Sequence, residues 1–374
     1  MISGIDYLNK KPVAIEIAGG RIKRISDGTN TEQLILPGLF DLQINGFAGV
    51  DFNGPDLTCE DLEKAVIALA KTGITGFMPT IITNSPKAIK DRLAFLRRFQ
   101  EESKWGSFIC GFHLEGPFIS PQDGPRGAHP KEHVRKPDWA LFQEFQEAAG
   151  SGIRIVTVSP EWEGAADFIA KCAASGVKVA IGHTAANTHE IQAAAEAGAS
   201  LSTHLGNGAH PVLPRHPNYI WDQLAEDRLW LTLIADGFHL PPAVIKVFLE
   251  VKKEKAILVS DAVSFAGCKP GVYESLIGGK VELTEEGRLQ MVSDPRLLAG
   301  SAATLLDTVE FMARTGLSTF EQAWEMASLR PYRFLDEESF GIEEGAPADL
   351  VLGRFCDGRF RVQTVIKNGE VIDL

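Results

Sequence analysis

No two of the cysteines in this 374-residue chain are paired closely enough to form a metal knuckle or a redox motif. The five present, Cys59, Cys110, Cys172, Cys268 and Cys356, are scattered and odd in number, which argues against a disulfide framework and for a reduced compartment. No apolar run approaches the roughly 18 residues a bilayer-spanning helix needs. Clusters of Lys and Arg with interleaved aromatics are missing too, and 37 basic against 49 acidic residues leave a formal charge of −12, so a nucleic-acid partner does not fit. The opening Met1-Ile2-Ser3-Gly4-Ile5-Asp6 lacks a basic stretch followed by an apolar core, so it does not read as a secretory signal. The expectation is a soluble, cytoplasmic protein without a membrane partner. No repeat of about 20–50 residues with shared sequence is found.

What the chain does have is a 44% hydrophobic content, ample for a large core, and a regular alternation of strand and helix signals. Its length suits a barrel of about 250 residues with an accessory domain. Residues 1 to about 36 alternate short apolar runs with Gly and charged turns, and the last stretch, from Asp349-Leu350-Val351-Leu352 onward, has the same texture. Neither piece has enough strands to stand alone, so the two termini are expected to build one small β domain together. Between them, strands are expected at 39–44, 76–83, 153–159, 230–234 and 256–260, with further strands ending at Glu115, His183 and His204. The apolar run Phe108-Ile109-Cys110 is expected to feed the Glu115 strand. Helices are expected at 60–71 and 86–100, and another behind Ser301, which can cap it. The polar loop 120–137 is too large for a mere connector and is a candidate substrate lid. A Gly-rich β excursion is expected over 267–298. The reading is an α/β protein, a (β/α)8 TIM-like barrel at 41–342 with a small β-sandwich domain built from 1–40 and 343–374.

The chemistry concentrates at strand exits. Gly111-Phe112-His113-Leu114-Glu115-Gly116-Pro117-Phe118 leaves a carboxylate there, while Val179-Ala180-Ile181-Gly182-His183 and Leu201-Ser202-Thr203-His204 each leave an imidazole. In one parallel barrel these exits share the C-terminal rim, where such enzymes work. One carboxylate and two imidazoles suit a single divalent ion, with zinc, iron, manganese and cobalt all acceptable. Asp261, at the eighth exit, is placed to act as general base, though an aspartate there could instead cap a following helix. His129 and His239 fall in loops on the same face and could donate to substrate. The run Leu205-Gly206-Asn207-Gly208-Ala209-His210 exposes backbone N–H groups that suit an anion, and Arg215 could pair with a phosphate. A plain Gly-rich turn beside a solvated arginine reads equally well.

Taken together, these motifs resemble the N-acetylglucosamine-6-phosphate deacetylases of the amidohydrolase superfamily, from Pro37-Gly38-Leu39-Phe40-Asp41 through the Glu-Gly-Pro block, Asp236-Gly237-Phe238-His239 and Ser260-Asp261-Ala262 to Leu298-Ala299-Gly300-Ser301. The resemblance implies that Glu115, His183 and His204 hold the metal and that Asp261 is the acid/base. It implies further that His129 touches the acetyl carbonyl and a sugar hydroxyl, that His239 contacts substrate, and that Asn207 and Gly208 cradle a phosphate. Arg215 falls where the family places an arginine reaching into the neighbouring subunit, which implies a homodimer. Where many amidohydrolases carry His-x-His after the first strand this chain has Gln43-Ile44-Asn45, which implies one metal and not two. After His204 it departs from the family's aromatic followed by Asn-Ala-Met, and Pro217-Asn218-Tyr219-Ile220-Trp221 is bulkier than the Gly-rich family stretch. The implied activity is deacetylation of N-acetylglucosamine-6-phosphate. The rival readings are a deacetylase of N-acetylgalactosamine-6-phosphate or of an unphosphorylated N-acetyl sugar, and a sugar-binding barrel without catalysis.

Overall fold

The computed structural model describes residues 1–29, 31–275, 279–337 and 339–373. Among them, eight strands form one parallel sheet in chain order: β1 (Leu39–Ile44), β2 (Ile74–Ile82), β3 (Phe112–Glu115), β4 (Ile153–Val158), β5 (Lys178–Ile181), β6 (Ala199–Ser202), β7 (Trp230–Leu233) and β8 (Ala256–Leu258). Each is followed by a helix: α1 (Cys59–Ala70), α2 (Pro86–Glu102), α3 (Trp139–Ala148), α4 (Ala165–Ala174), α5 (Thr188–Glu196), α6 (Tyr219–Ala225), α7 (Pro242–Lys252) and α8 (Leu305–Arg314). This is the expected (β/α)8 barrel. The helices start where local chemistry tells them to. Thr58 with Asp61, Asn187 with Glu190 and Thr304 with Asp307 each satisfy two free N-terminal amides reciprocally. The last of these corrects the expectation at Ser301: the cap of α8 is Thr304, because only there can the residue three positions on, Asp307, answer the cap's own N–H. The expected run Phe108-Ile109-Cys110 is not strand either. A 3-10 turn spans Gly106–Phe108, and β3 begins at Phe112.

Side chains alternate along each strand, so every second residue fills the barrel interior. Deep inside these are apolar: Phe40, Met78, Ile155, Ala180, Leu201 and Ile257, plugged from below by Phe334 and Leu335. One step toward the C-terminal rim the interior turns polar. There His113 Nε2 meets Thr157 Oγ1 at 2.8 Å, and Thr157 Oγ1 meets Thr203 Oγ1 at 2.8 Å. The cylinder closes between β8 and β1 through polar contacts. Asn45 N–H donates to Ala262 O at 2.8 Å, and the buried Asp41 carboxylate accepts Ser260 N–H at 3.1 Å and Gln43 N–H at 3.2 Å.

Both termini join one seven-stranded sheet, ordered Glu370–Ile372, Arg359–Lys367, Leu350–Cys356, Leu34–Pro37, Ile2–Asp6, Pro12–Ala18 and Arg21–Asp27. Its Arg21–Asp27 edge folds back onto the segment that leads into Leu350–Cys356, with Ile22 N–H donating to Ala346 O at 2.9 Å and Ala348 N–H to Gly20 O at 2.9 Å. The enclosed face buries Ile15, Ile35, Leu350 and Ile366, while the other face sends Leu36, Val351 and Val365 into the main core. The expected excursion is a three-stranded sheet, Gly271–Ser275, Gly279–Leu283 and Leu289–Met291, and its residues 276–278 lie outside the described residues.

Burial pushes the Asp41 carboxyl up to about 7, against the hydrogen bonds from Ser260 and Gln43. Between the ordinary carboxylate range and that value the folded chain holds a proton that the unfolded chain has released, so this group's contribution to stability falls as pH rises from about 4 to about 7. Asp41→Asn removes that slope. Urea denaturation at both ends of the interval should show the variant gaining on the parent by about 2–4 kcal/mol at the upper end; an unchanged difference would refute the assignment.

Candidate active site

Glu115 ends β3 on its inward-facing alternation, two residues after the inward His113. His183 and His204 lie one residue past the inward positions Gly182 and Thr203, so a continued strand would turn both rings outward. Instead both take left-handed backbone angles, φ 49° and φ 30°, and Asp261 does the same at φ 46°. Such angles cost on the order of 1–3 kcal/mol each in a non-glycine residue and cluster where a site over-determines them. They swing the rings over the barrel mouth.

There, Glu115 Oε1 lies 3.2 Å from His183 Nε2 and 3.0 Å from His204 Nε2, and the two nitrogens are 3.1 Å apart. All three residues are buried. His183 Nδ1 is 2.8 Å from Pro125 O, and a carbonyl only accepts, so Nδ1 carries the hydrogen and Nε2 turns a lone pair inward. A buried set of one carboxylate oxygen and two imidazole nitrogens within 4.8 Å of one another is a donor set that a divalent ion takes, with coordination positions left for water or substrate. These residues fit a metal.

The electrostatics follow from the crowding. Burial pushes the Glu115 carboxyl up, but the two imidazoles facing it, wherever they carry a proton toward it, outweigh burial and hold it well below the usual range. Glu115 Oε1 also accepts Gln43 Nε2–H at 2.8 Å. Burial, then the charge of Glu115, pushes Asp261 up to about 6, against opposing pulls from His204, His239 and an Asn45 hydrogen bond. That bond, Asn45 Nδ2 to Asp261 Oδ1, is 2.7 Å long. No helix follows Asp261 directly, so the capping alternative falls away. Burial, then the neighbouring His183, pushes His129 down to about 3, which keeps its ring neutral. His239 is gripped through Nδ1 by Asp236 Oδ2 at 2.6 Å, while Asp236 Oδ1 accepts the N–H groups of Phe238 and His239.

A cavity of about 320 Å³ opens onto this group, and Glu115, His129, His183, His204, Asn207, Gly208, His239 and Asp261 all line it, with Met291 and Leu298 of the excursion opposite. Arg215 does not. It stands exposed on the loop after Gly208, and its guanidinium has no partner among the described residues. Gly208 is there for space: a Cβ on it would stand 2.7 Å from His183 Nδ1. Gly206, where the family carries an aromatic, packs its backbone against Leu240 and faces away from the cavity, so that departure leaves the cavity wall intact.

The amidohydrolase family model matches residues 34–372. The chain belongs to the amidohydrolase family. Among its relatives, an N-acetylglucosamine-6-phosphate deacetylase of Bacillus subtilis is 37% identical over 86% of this chain and 81% of its own length. An N-acetylgalactosamine-6-phosphate deacetylase of Escherichia coli O157:H7 is 31% identical over 91% and 88%. The crystal structure of the N-acetylglucosamine-6-phosphate deacetylase of Pasteurella multocida superposes with a TM-score of 0.86 at 26% identity, covering 99% of this chain and 98% of that one.

The supporting roles of several residues of this amidohydrolase were not visible to sequence reasoning. Gln43 and Asn45 each donate to a site carboxylate. Thr83 Oγ1 lies 2.9 Å from His129 Nδ1. Glu161 accepts Ser120 Oγ–H at 2.6 Å, Ser159 Oγ–H at 2.8 Å and Thr184 Oγ1–H at 3.2 Å, together with Ala185 N–H, and so ties the exits of β3, β4 and β5 together beside His183. The two amides carried a signal in standing where many amidohydrolases have His-x-His after the first strand; the others carried none.

Gly208→Ala forces a Cβ against His183 at a residue with φ 54°. Because it disturbs the orientation of one candidate ligand and leaves all three in place, the variant should fold while binding divalent metal about 10-fold more weakly. Competition with a chromophoric chelator measures this, and an unchanged dissociation constant would contradict the packing argument.

Proposed function

We propose that this protein is a metal-dependent hydrolase that removes the acetyl group from N-acetylglucosamine-6-phosphate, giving glucosamine-6-phosphate and acetate. The observation that carries the reading is the convergence of Glu115, His183 and His204 with Asp261 at one cavity. A binding module has no use for a buried carboxylate aimed at a metal-type donor set. The names of relatives matched over most of the chain point to the same substrate.

A divalent ion held by Glu115, His183 and His204 supplies a Lewis acid that lowers the pKa of water and polarises a carbonyl; zinc suits the set best, with iron, manganese and cobalt acceptable. Asp261 takes a proton from the attacking water. Its Oδ1 is tied to Asn45, which leaves Oδ2 for that proton. The water oxygen bonds to the acetamide carbon, and the carbonyl oxygen gains negative charge opposite His129 Nε2, a hydrogen-bond donor in a water-poor site. Asp261 then returns its proton to the nitrogen as the C–N bond breaks, which balances the reaction. His239, oriented by Asp236, holds the sugar, and Asn207 with the Gly208 backbone cradles the 6-phosphate.

Arg215 is assigned to the phosphate of a neighbouring protomer in a homodimer. Its own guanidinium is unpartnered among the described residues, and it lies close in sequence to Val212 and Trp221, exposed apolar side chains of the kind a second copy covers. Five free cysteines fit a reducing cytoplasm.

The experiment is acetate release from N-acetylglucosamine-6-phosphate by zinc- or iron-loaded protein, with the galactosamine epimer and unphosphorylated N-acetylglucosamine alongside. Turnover highest on the first is expected; highest on another reassigns the substrate, and none on any rejects the reaction. Asp261→Asn should lower kcat about 10²–10⁴-fold with metal content unchanged. Arg215→Ala should raise KM for phosphorylated sugars alone, and mixing it with Asp261→Asn protein should restore part of the activity, since a mixed dimer holds one intact site. Failure of that complementation would place Arg215 outside the shared site.

A further inference from the structure

We propose that Thr83 is a positioning residue that sets the tautomer of His129, so that His129 Nε2 carries the ring hydrogen and can donate it to the acyl carbonyl oxygen. The carbonyl half of this statement rests on the deacetylase reading above; the tautomer half does not.

Thr83 follows β2 directly and is fully buried, and His129 is 6% exposed. His129 Nδ1 and Thr83 Oγ1 are 2.9 Å apart, and among the described residues this is the one hydrogen bond of the Thr83 hydroxyl. The direction of that bond follows from counting hydrogens. A hydroxyl is both donor and acceptor, whereas each nitrogen of a neutral imidazole is one or the other. If Nδ1 donated, the Thr83 hydrogen would be buried without an acceptor. If Thr83 donates, both groups are satisfied and the ring hydrogen moves to Nε2.

The far side of the ring is compatible with this arrangement and does not fix it. His129 Nε2 lies 4.0 Å from Glu115 Oε2, beyond hydrogen-bond reach, so it is Thr83 at Nδ1 that keeps the N–H on Nε2. The same N–H is what a developing oxyanion requires; the other tautomer would present a lone pair to a carbonyl oxygen and repel it.

Space for the hydroxyl is built into the chain. Gly116, directly after the ligand Glu115, has φ 90°, and a Cβ on it would stand 2.1 Å from Thr83 Oγ1. The glycine of the Glu-Gly-Pro block therefore does two things. It takes a left-handed turn after the ligand, and it leaves room for the group that orients the ring next to it.

The test uses zinc-loaded protein with ¹⁵N-labelled histidine, in which nitrogen chemical shifts separate the two tautomers; His129 is assigned from the signals lost in His129→Asn. In the parent and in Thr83→Ser, His129 should be Nε2-protonated. Thr83→Val keeps the shape and removes the hydroxyl, so His129 should lose that preference. Its kcat should fall about 10–100-fold, as for other residues that orient a functional group, with KM and bound zinc close to the parent's. An Nδ1-protonated His129 in the parent, an unaltered tautomer in Thr83→Val, or a kcat that Thr83→Ser does not restore would each overturn the proposal. If the parent releases no acetate from any sugar the deacetylase reading falls, and the nitrogen spectra still decide the role of Thr83.

Discussion

Two imidazole nitrogens and a carboxylate oxygen held 3.0–3.2 Å apart at the mouth of a closed barrel are the constraint on which the rest of this structure depends. Left to themselves, groups this rich in lone pairs would separate and hydrate. They stay together because each stands at the exit of a strand whose deeper residues are locked into a dry interior with Phe40, Met78, Ile155 and Leu201. The barrel contributes rigidity, and the left-handed residues at its rim convert that rigidity into aim. The change of the interior from apolar to hydroxyl and imidazole just below the rim lets buried polar chemistry sit on a hydrophobic base without stranded charges.

A second set of contacts disciplines the first. Gln43, near the end of the opening strand, and Asn45, just past it, donate to Glu115 and Asp261, so the two carboxylates that would repel each other are each held by a neutral amide. Imidazoles at those positions would be metal ligands. Amides ligate poorly but donate well, and the substitution makes this part of the rim an orienting device. The same logic recurs around the site: Asp236 turns His239, Pro125 O fixes the tautomer of His183, and the Glu161 carboxylate ties together the loops from which His183 emerges. The site is shaped as much by residues that hold donors and acceptors still as by the residues that line its cavity.

Most of the barrel could be read along the chain because its signals are local and periodic. Apolar runs of strand length, separated by amphipathic helices with N-terminal caps, give the same answer whichever neighbour they pack on. The metal-type triad was legible because all its members end strands of one parallel barrel. The misreadings have physical causes. Phe108-Ile109-Cys110 is as apolar as a strand, yet it packs under α2 as a turn, since burial and not extension is what an apolar run guarantees. Ser301 is a good capping type in isolation, but the cap is decided by which residue has an acid three positions ahead. Arg215 could be matched to a family position, and no local pattern says whether a long side chain bends into its own cavity or away from it.

By itself, then, the order of amino acids determined the fold class, the joint sheet of the two termini and the identity of the residues at the strand exits, because hydrophobic period and capping act within a few residues. Tertiary structure alone decided which way those exit residues face and what holds them. A left-handed φ at His183, the bond from Asn45 to Asp261 across 216 positions and the space that Gly116 leaves for Thr83 arise only when distant segments meet, and the stabilisation that makes them tolerable comes from those distant partners.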